Sequence, residues 1–110
     1  MVYFVGAGPG AADLITVRGM RLLEQADVVI YAGSLVNPEL LSYCKKECEI
    51  HNSAYMTLEE VLAVMEEAEK QKLTTVRLHT GEPSIYGAVR EQMDLLDEKG
   101  ILYESCPGVS

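Results

Sequence analysis

The sequence predicts an α/β domain, a mostly parallel five-stranded sheet flanked by helices. Three observations carry that expectation. Short apolar runs without strict alternation recur along the chain, as in strands buried on both faces. Segments with apolar residues at helical spacing lie between them. Two of the apolar runs end in glycine-bearing turns that lead into helical segments, Gly6-Ala7-Gly8-Pro9-Gly10 and Thr80-Gly81-Glu82-Pro83-Ser84. Open α/β sheets bind ligands on such turns, at the carboxyl ends of their strands.

The elements follow in order. Val2 to Val5 is a short apolar run closed by Gly6, the first strand. Thr16 can cap a helix from Val17 to Gln25, with Gly19 as its weak point. Asp27 to Tyr31 is the second strand, and Gly33 to Pro38 a loop. Pro38 is suited to the first position of a short helix reaching Tyr43. Glu49-Ile50-His51 is a third, short strand. Thr57-Leu58-Glu59-Glu60 matches a capping box, and Leu58, Val61, Leu62, Met65 and Ala68 then line one helical face to about Gln71. Leu73 to Leu78 is the fourth strand. A helix carrying Ile85, Val89, Gln92, Met93 and Leu96 follows, and Gly100 ends it. Leu102 to Ser105 is the fifth strand, and Cys106-Pro107-Gly108-Val109-Ser110 reads as a turn into further chain.

Composition narrows the function. The 110 residues suit one domain, and 48% hydrophobic with 24% charged residues is globular. A net charge of −8 argues against non-specific nucleic-acid binding, which needs a basic surface. An anionic substrate would require Arg18, Arg21, Arg77 and Arg90 to gather locally. Three cysteines, Cys44, Cys48 and Cys106, fit a reducing, cytoplasmic setting, and two thiols four residues apart do not make a zinc site. Met1 leads directly into the first strand, so no targeting segment is expected, and no apolar stretch approaches the ~20 residues of a membrane span.

The two loops suggest binding rather than acid–base chemistry. The first resembles a dinucleotide fingerprint but has Ala11 and Pro9 in place of a third glycine and a free N–H, and no acid follows the second strand. The second offers hydroxyl, carboxylate and hydroxyl at Thr80, Glu82 and Ser84 within five residues. Helix capping accounts for Ser84 and the helix dipole for Glu82, leaving Thr80 and Gly81 to be explained. There is no nucleophile–base pair or metal-ligating cluster in the sequence, so no catalytic residue is assigned. Of the two histidines, His51 is read as structural and His79 as a candidate for lining the site. That pattern fits a reaction whose reactive group is carried by a cofactor.

These residues resemble those of the tetrapyrrole (corrin/porphyrin) methyltransferases. Val5-Gly6-Ala7-Gly8-Pro9-Gly10, continued by Asp13 to Gly19, looks like the family's first motif. Thr80 to Gly87 looks like the second, and Pro107 to Ser110 like the start of the third. Tyr31 to Val36 and Arg77 to Gly81 look most like the branch that methylates precorrin-4 at C11, with or without cobalt. Glu82 stands where the family usually has Asp, one methylene longer.

The resemblance implies that residues 1–110 are the N-terminal domain of a two-domain enzyme, usually a homodimer. It implies S-adenosylmethionine as cofactor, held in the cleft between domains near Pro9, Thr80, Gly81, Glu82 and Ser110 and lined by Ile85 and Tyr86. Gly8 and Gly10 would face the tetrapyrrole, and Arg18 or Arg90 would pair with its carboxylates. The rival readings are another methyltransferase of the same fold, acting on a different precorrin, uroporphyrinogen III or diphthine, and a non-catalytic ligand-binding domain.

Overall fold

The computed structural model describes residues 1–7, 17–31, 38–80 and 83–106. Within them, five strands form one sheet: β1 (Val2–Ala7), β2 (Val28–Tyr31), β3 (Glu49–Asn52), β4 (Thr75–Thr80) and β5 (Tyr103–Cys106). Their order is β3-β2-β4-β1-β5, and every neighbouring pair is parallel. The three α-helices are α1 (Val17–Gln25), α2 (Leu58–Lys70) and α3 (Pro83–Glu98). Short 3-10 helices span Pro38–Tyr43 and Ser53–Tyr55.

The helices divide between the two faces of the sheet. On one face, Leu23 and Ala26 at the end of α1 pack with Val5, Val29, Val76, Leu78 and Cys106. On the other, Val61, Leu62, Met65 and Ala68 of α2 and Val89 and Leu96 of α3 pack with Val2, Phe4, Val28 and Ile30. Phe4 also meets Tyr103 edge-on, with ring centroids 5.8 Å apart. Both faces of β1, β2 and β4 are therefore buried, which is why β1 and β2 read as apolar runs.

Local chemistry fixes the helix ends. The capping box is present in full: Thr57 Oγ1 accepts the Glu60 N–H at 3.2 Å, and Glu60 Oε1 accepts the Thr57 N–H at 3.2 Å. Helix α3 starts on Pro83, where the missing N–H costs nothing. Ser84 therefore lies inside the first turn rather than at the cap.

The two C-terminal ends use one device. Leu73 N–H reaches back to Ala68 C=O and Lys72 N–H to Glu69 C=O, a Schellman closure with Lys72 at φ +59°. Ile101 and Gly100 repeat it on Leu96 and Asp97, with Gly100 at φ +72°.

That closure explains a shift from the sequence expectation. Leu73 is used to end α2, so β4 runs from Thr75 to Thr80 rather than from Leu73 to Leu78. Helix α1 falls on the expected Val17–Gln25, and its proposed cap Thr16 lies outside the described residues.

Candidate functional site

The strand order brings together the two strands that the sequence-predicted loops follow. Strands β1 and β4 are neighbours in register, Gly6 against His79 and Ala7 against Thr80. Strands β1 and β4 therefore end abreast, at Ala7 and Thr80. From there the chain diverges. The connection after β1 leads to α1 on one face, and that after β4 leads to α3 on the other. Adjacent parallel strands whose connections part to opposite faces leave a crevice at their carboxyl ends, the favoured ligand position in open α/β sheets.

The predicted residues fall around this crevice as follows. Thr80 is the last residue of β4, and Ile85 and Tyr86 lie at the start of α3. Gly8, Pro9, Gly10, Gly81, Glu82 and Ser110 lie outside the described residues, as does the loop at 32–37. Arg18 near the start of α1 is exposed, and its Nη2 donates to Glu104 Oε2 on β5 at 2.6 Å. Arg90 on α3 is exposed and pairs with Asp94 one helical turn on, at 3.3 Å. Arg21 lies beside Arg18 on α1, and Arg77 is buried in β4. The four arginines thus do not form one cluster: α1 and α3 carry theirs on opposite sides of the sheet.

Below the crevice, on the face covered by α3, β4 buries two nitrogen-bearing side chains. His79, the candidate for lining the site, is buried one residue before Thr80. Arg77, two residues deeper, is 5% exposed. Its Nε donates to Gln92 Oε1 of α3 at 3.2 Å, and its Nη1 to the carbonyls of Leu78 at 3.1 Å and Ile30 at 3.4 Å. Burial pulls its pKa down to about 10, which still leaves it charged at neutral pH. In the sequence Arg77 counted as one of four arginines and as the first residue of the Arg77-to-Gly81 stretch, with no role of its own.

The remaining candidates sit away from the crevice. His51 on β3 keeps Nε2 3.4 Å from Glu49 Oε2, yet this buried nitrogen makes no hydrogen bond, so the expected satisfied histidine is not found. It lines a cavity of about 300 Å³ with Val28, Glu49, Val64, Glu67 and Leu73. Val28 and Glu49 open their strands and Leu73 precedes β4, so that cavity is at the amino edge, opposite the crevice. Cys44 and Cys48 form no disulfide and lie outside any helix, and Cys48 Sγ donates to the Glu49 carbonyl at 3.7 Å. Burial first, then the neighbouring Cys44, pushes the Cys48 thiol up to about 12. Among the described residues no helix is long and apolar enough to cross a membrane.

Comparison with known proteins gives a consistent picture. Residues 1–110 match the family model described as Tetrapyrrole (Corrin/Porphyrin) Methylases. The chain is 59% identical over 109 residues to the cobalt-precorrin-4 C(11)-methyltransferase of Methanocaldococcus jannaschii, covering 99% of this chain and 42% of that protein. It is 47% identical over 108 residues to the precorrin-4 C(11)-methyltransferase of Rhodococcus erythropolis, covering 98% and 43%. The X-ray structure of a cobalamin biosynthetic enzyme, cobalt precorrin-4 methyltransferase, superposes with a TM-score of 0.91 at 48% identity, over 99% of this chain and 46% of that one. A uroporphyrin-III C-methyl transferase from Thermus thermophilus, solved with S-adenosylhomocysteine, gives 0.77 at 33% identity, over 99% and 45%. The chain thus spans under half the length of these relatives.

Proposed function

Because this chain belongs to the tetrapyrrole (corrin/porphyrin) methylases, we propose that the complete protein is an S-adenosylmethionine-dependent methyltransferase acting on C11 of precorrin-4 or its cobalt form. Residues 1–110 supply one half of the cleft, and a second domain supplies the other. The observation that carries the reading is the in-register pairing of β1 with β4, whose carboxyl ends stand abreast with connections parting to opposite faces of the sheet. The high identity to precorrin-4 and cobalt-precorrin-4 enzymes supports the C11 position. The protein works as a cytoplasmic homodimer.

The donor set suits this cofactor. Thr80, Glu82 and Ser110 offer hydroxyls and a carboxylate, matched to ribose hydroxyls and an amine, while Pro9, Ile85 and Tyr86 offer apolar surface to an adenine. When bound, S-adenosylmethionine supplies an activated methyl group, so no protein nucleophile is required. The chain's own work is positional. Loops set by two in-register strands fix the cofactor's site, and Gly8 and Gly10 allow the tetrapyrrole to approach the backbone closely. Well-oriented reactants can gain up to ~7–11 kcal/mol from such placement. Arg18 or Arg90 holds a substrate carboxylate by exchanging its partner, Glu104 for Arg18 or Asp94 for Arg90. Exposed ion pairs of this kind are worth only ~0–1 kcal/mol, so the exchange is easy.

The test is calorimetric titration of S-adenosylhomocysteine, followed by methyl transfer assayed on precorrin-4 with and without cobalt. The complete protein is expected to bind and turn over. Residues 1–110 alone are expected to do neither, with half the cleft missing. Absence of binding by the complete protein sinks the methyltransferase reading, and turnover by residues 1–110 sinks the shared cleft.

A further inference from the structure

We propose that Arg77 is a positioning residue for the crevice, holding the ends of β2 and β4 and the helix α3 in one fixed arrangement. The proposal rests on the methyltransferase reading and deepens it. Arg77 touches neither predicted loop. Its hydrogen-bond partners are what place it: Ile30 in β2, Leu78 in β4 and Gln92 in α3.

Each of those partners adjoins a segment the site depends on. Ile30 directly precedes Tyr31, the first residue of the Tyr31-to-Val36 stretch whose sequence resembles the precorrin-4 branch. Leu78 lies two residues before Thr80. Gln92 belongs to the helix that begins directly after Gly81 and Glu82. One planar group with a rigid fork of donors thus spans three elements that converge on the crevice, and a lysine or an apolar side chain cannot do that.

Its position in the core makes the choice of residue costly. Arg77 sits on the central strand at 5% exposure, and its partners among the described residues are two carbonyls and an amide, all neutral. Removing a guanidinium from water carries a large desolvation cost. A methionine or leucine would fill the site at less expense in stability. Retaining a buried cation with three fixed bonds makes sense where geometry, not stability, is the return.

The test uses the complete protein and four variants: Arg77→Met, Arg77→Lys, Gln92→Leu and, as a control, Met65→Ala. Met65 is fully buried in α2 against the same face of the sheet, so its truncation destabilises that core without touching the Arg77 bonds. The readouts are melting temperature, S-adenosylhomocysteine Kd, and KM for S-adenosylmethionine against kcat. Arg77→Met is expected to raise Kd and KM about tenfold or more, the order of loss that small misplacements produce. Arg77→Lys, with the charge but not the fork, is expected to rescue only part of it. Met65→Ala is expected to lower the melting temperature while leaving Kd within about twofold of wild type.

Should Arg77→Met fail to fold, Gln92→Leu decides, with a smaller rise in the same direction. An unchanged Kd in the folded Arg77 variant, or in Gln92→Leu where that variant decides, overturns the proposal. So does full rescue by lysine, or an equal rise in Met65→Ala. A wild-type protein that binds no S-adenosylhomocysteine removes the methyltransferase reading and this proposal together. Wild-type binding with an indifferent Arg77 removes only this one.

Discussion

Replacing Asp27 with Asn should cost about 1–2 kcal/mol at neutral pH, and the cost should disappear in acid. Asp27 ties together the starts of three strands. Its N–H donates to Thr74 C=O at 2.9 Å, just before β4, and its C=O accepts from Glu49 N–H at 2.9 Å, where β3 begins. Its carboxylate accepts the Thr74 N–H on Oδ2 at 2.9 Å and Lys45 Nζ on Oδ1 at 2.5 Å. Asn keeps the backbone bonds and can keep a neutral bond to Thr74. It loses the ion pair and the charge assistance, and a charge-assisted bond exceeds a neutral one by about 1 kcal/mol. The partly exposed Lys45 pair adds little beyond that.

The sign of the pH effect follows from the carboxyl's pKa. The Lys45 ammonium first, and then the Thr74 N–H, hold it below its ordinary 3.8. The stabilisation is therefore complete above the unfolded-state value and is lost as pH falls through the lower folded-state value. Urea unfolding of wild type and variant across about pH 7 to pH 3, with m unchanged, measures the gap directly. A gap under about 0.5 kcal/mol at neutral pH, or one that stays constant into acid, refutes the reasoning.

Two further substitutions probe the helix ends. Thr57→Ala removes half of the capping box and should lower stability by about 1 kcal/mol, read as a drop of roughly 4–8 °C in Tm. Lys72→Gly should raise stability by a few tenths to about 1 kcal/mol by relieving a left-handed lysine, while Gly100→Ala should lower it by about 1 kcal/mol. No atom lies within 4 Å of a Cβ added at Gly100, so backbone strain alone sets that loss. A Lys72→Gly variant that melts lower than wild type would contradict the account.

Most of the architecture was legible because local rules and tertiary packing agree. The capping box at Thr57, the glycine at position 100 and the helix Val17–Gln25 all stand where the pattern put them. The strand order was not legible, since the pairing of β1 with β4 and β5 is decided by helices choosing opposite faces. Nor was the end of α2: Lys72 is a poor left-handed residue, and nothing in its type announces the Schellman turn that displaced β4 by two residues.

The candidate site was legible as two loops but not as one crevice, which depends on β1 and β4 being neighbours. Arg77 was missed for a related reason. Thr75, Arg77 and His79 alternate with Val76 and Leu78, a pattern that suggests a polar outer face, yet α3 buries that face as well. A basic residue among apolar neighbours on a strand destined for the centre of a parallel sheet was the available signal.

The position of β1 between β4 and β5 also has a consequence during biosynthesis. Val2 pairs with Thr75 and Tyr103, so neither edge of β1 finds its partner until more than two thirds of these residues have been made. At about 5–20 residues per second, the wait between the emergence of β1 and of β4 is on the order of 4–15 s. Val2, Tyr3, Phe4 and Val5 remain an unpaired apolar strand throughout it. The strand that carries the first loop of the crevice thus leaves the ribosome well before either of its partners, and a chaperone that meets these residues early will meet it there.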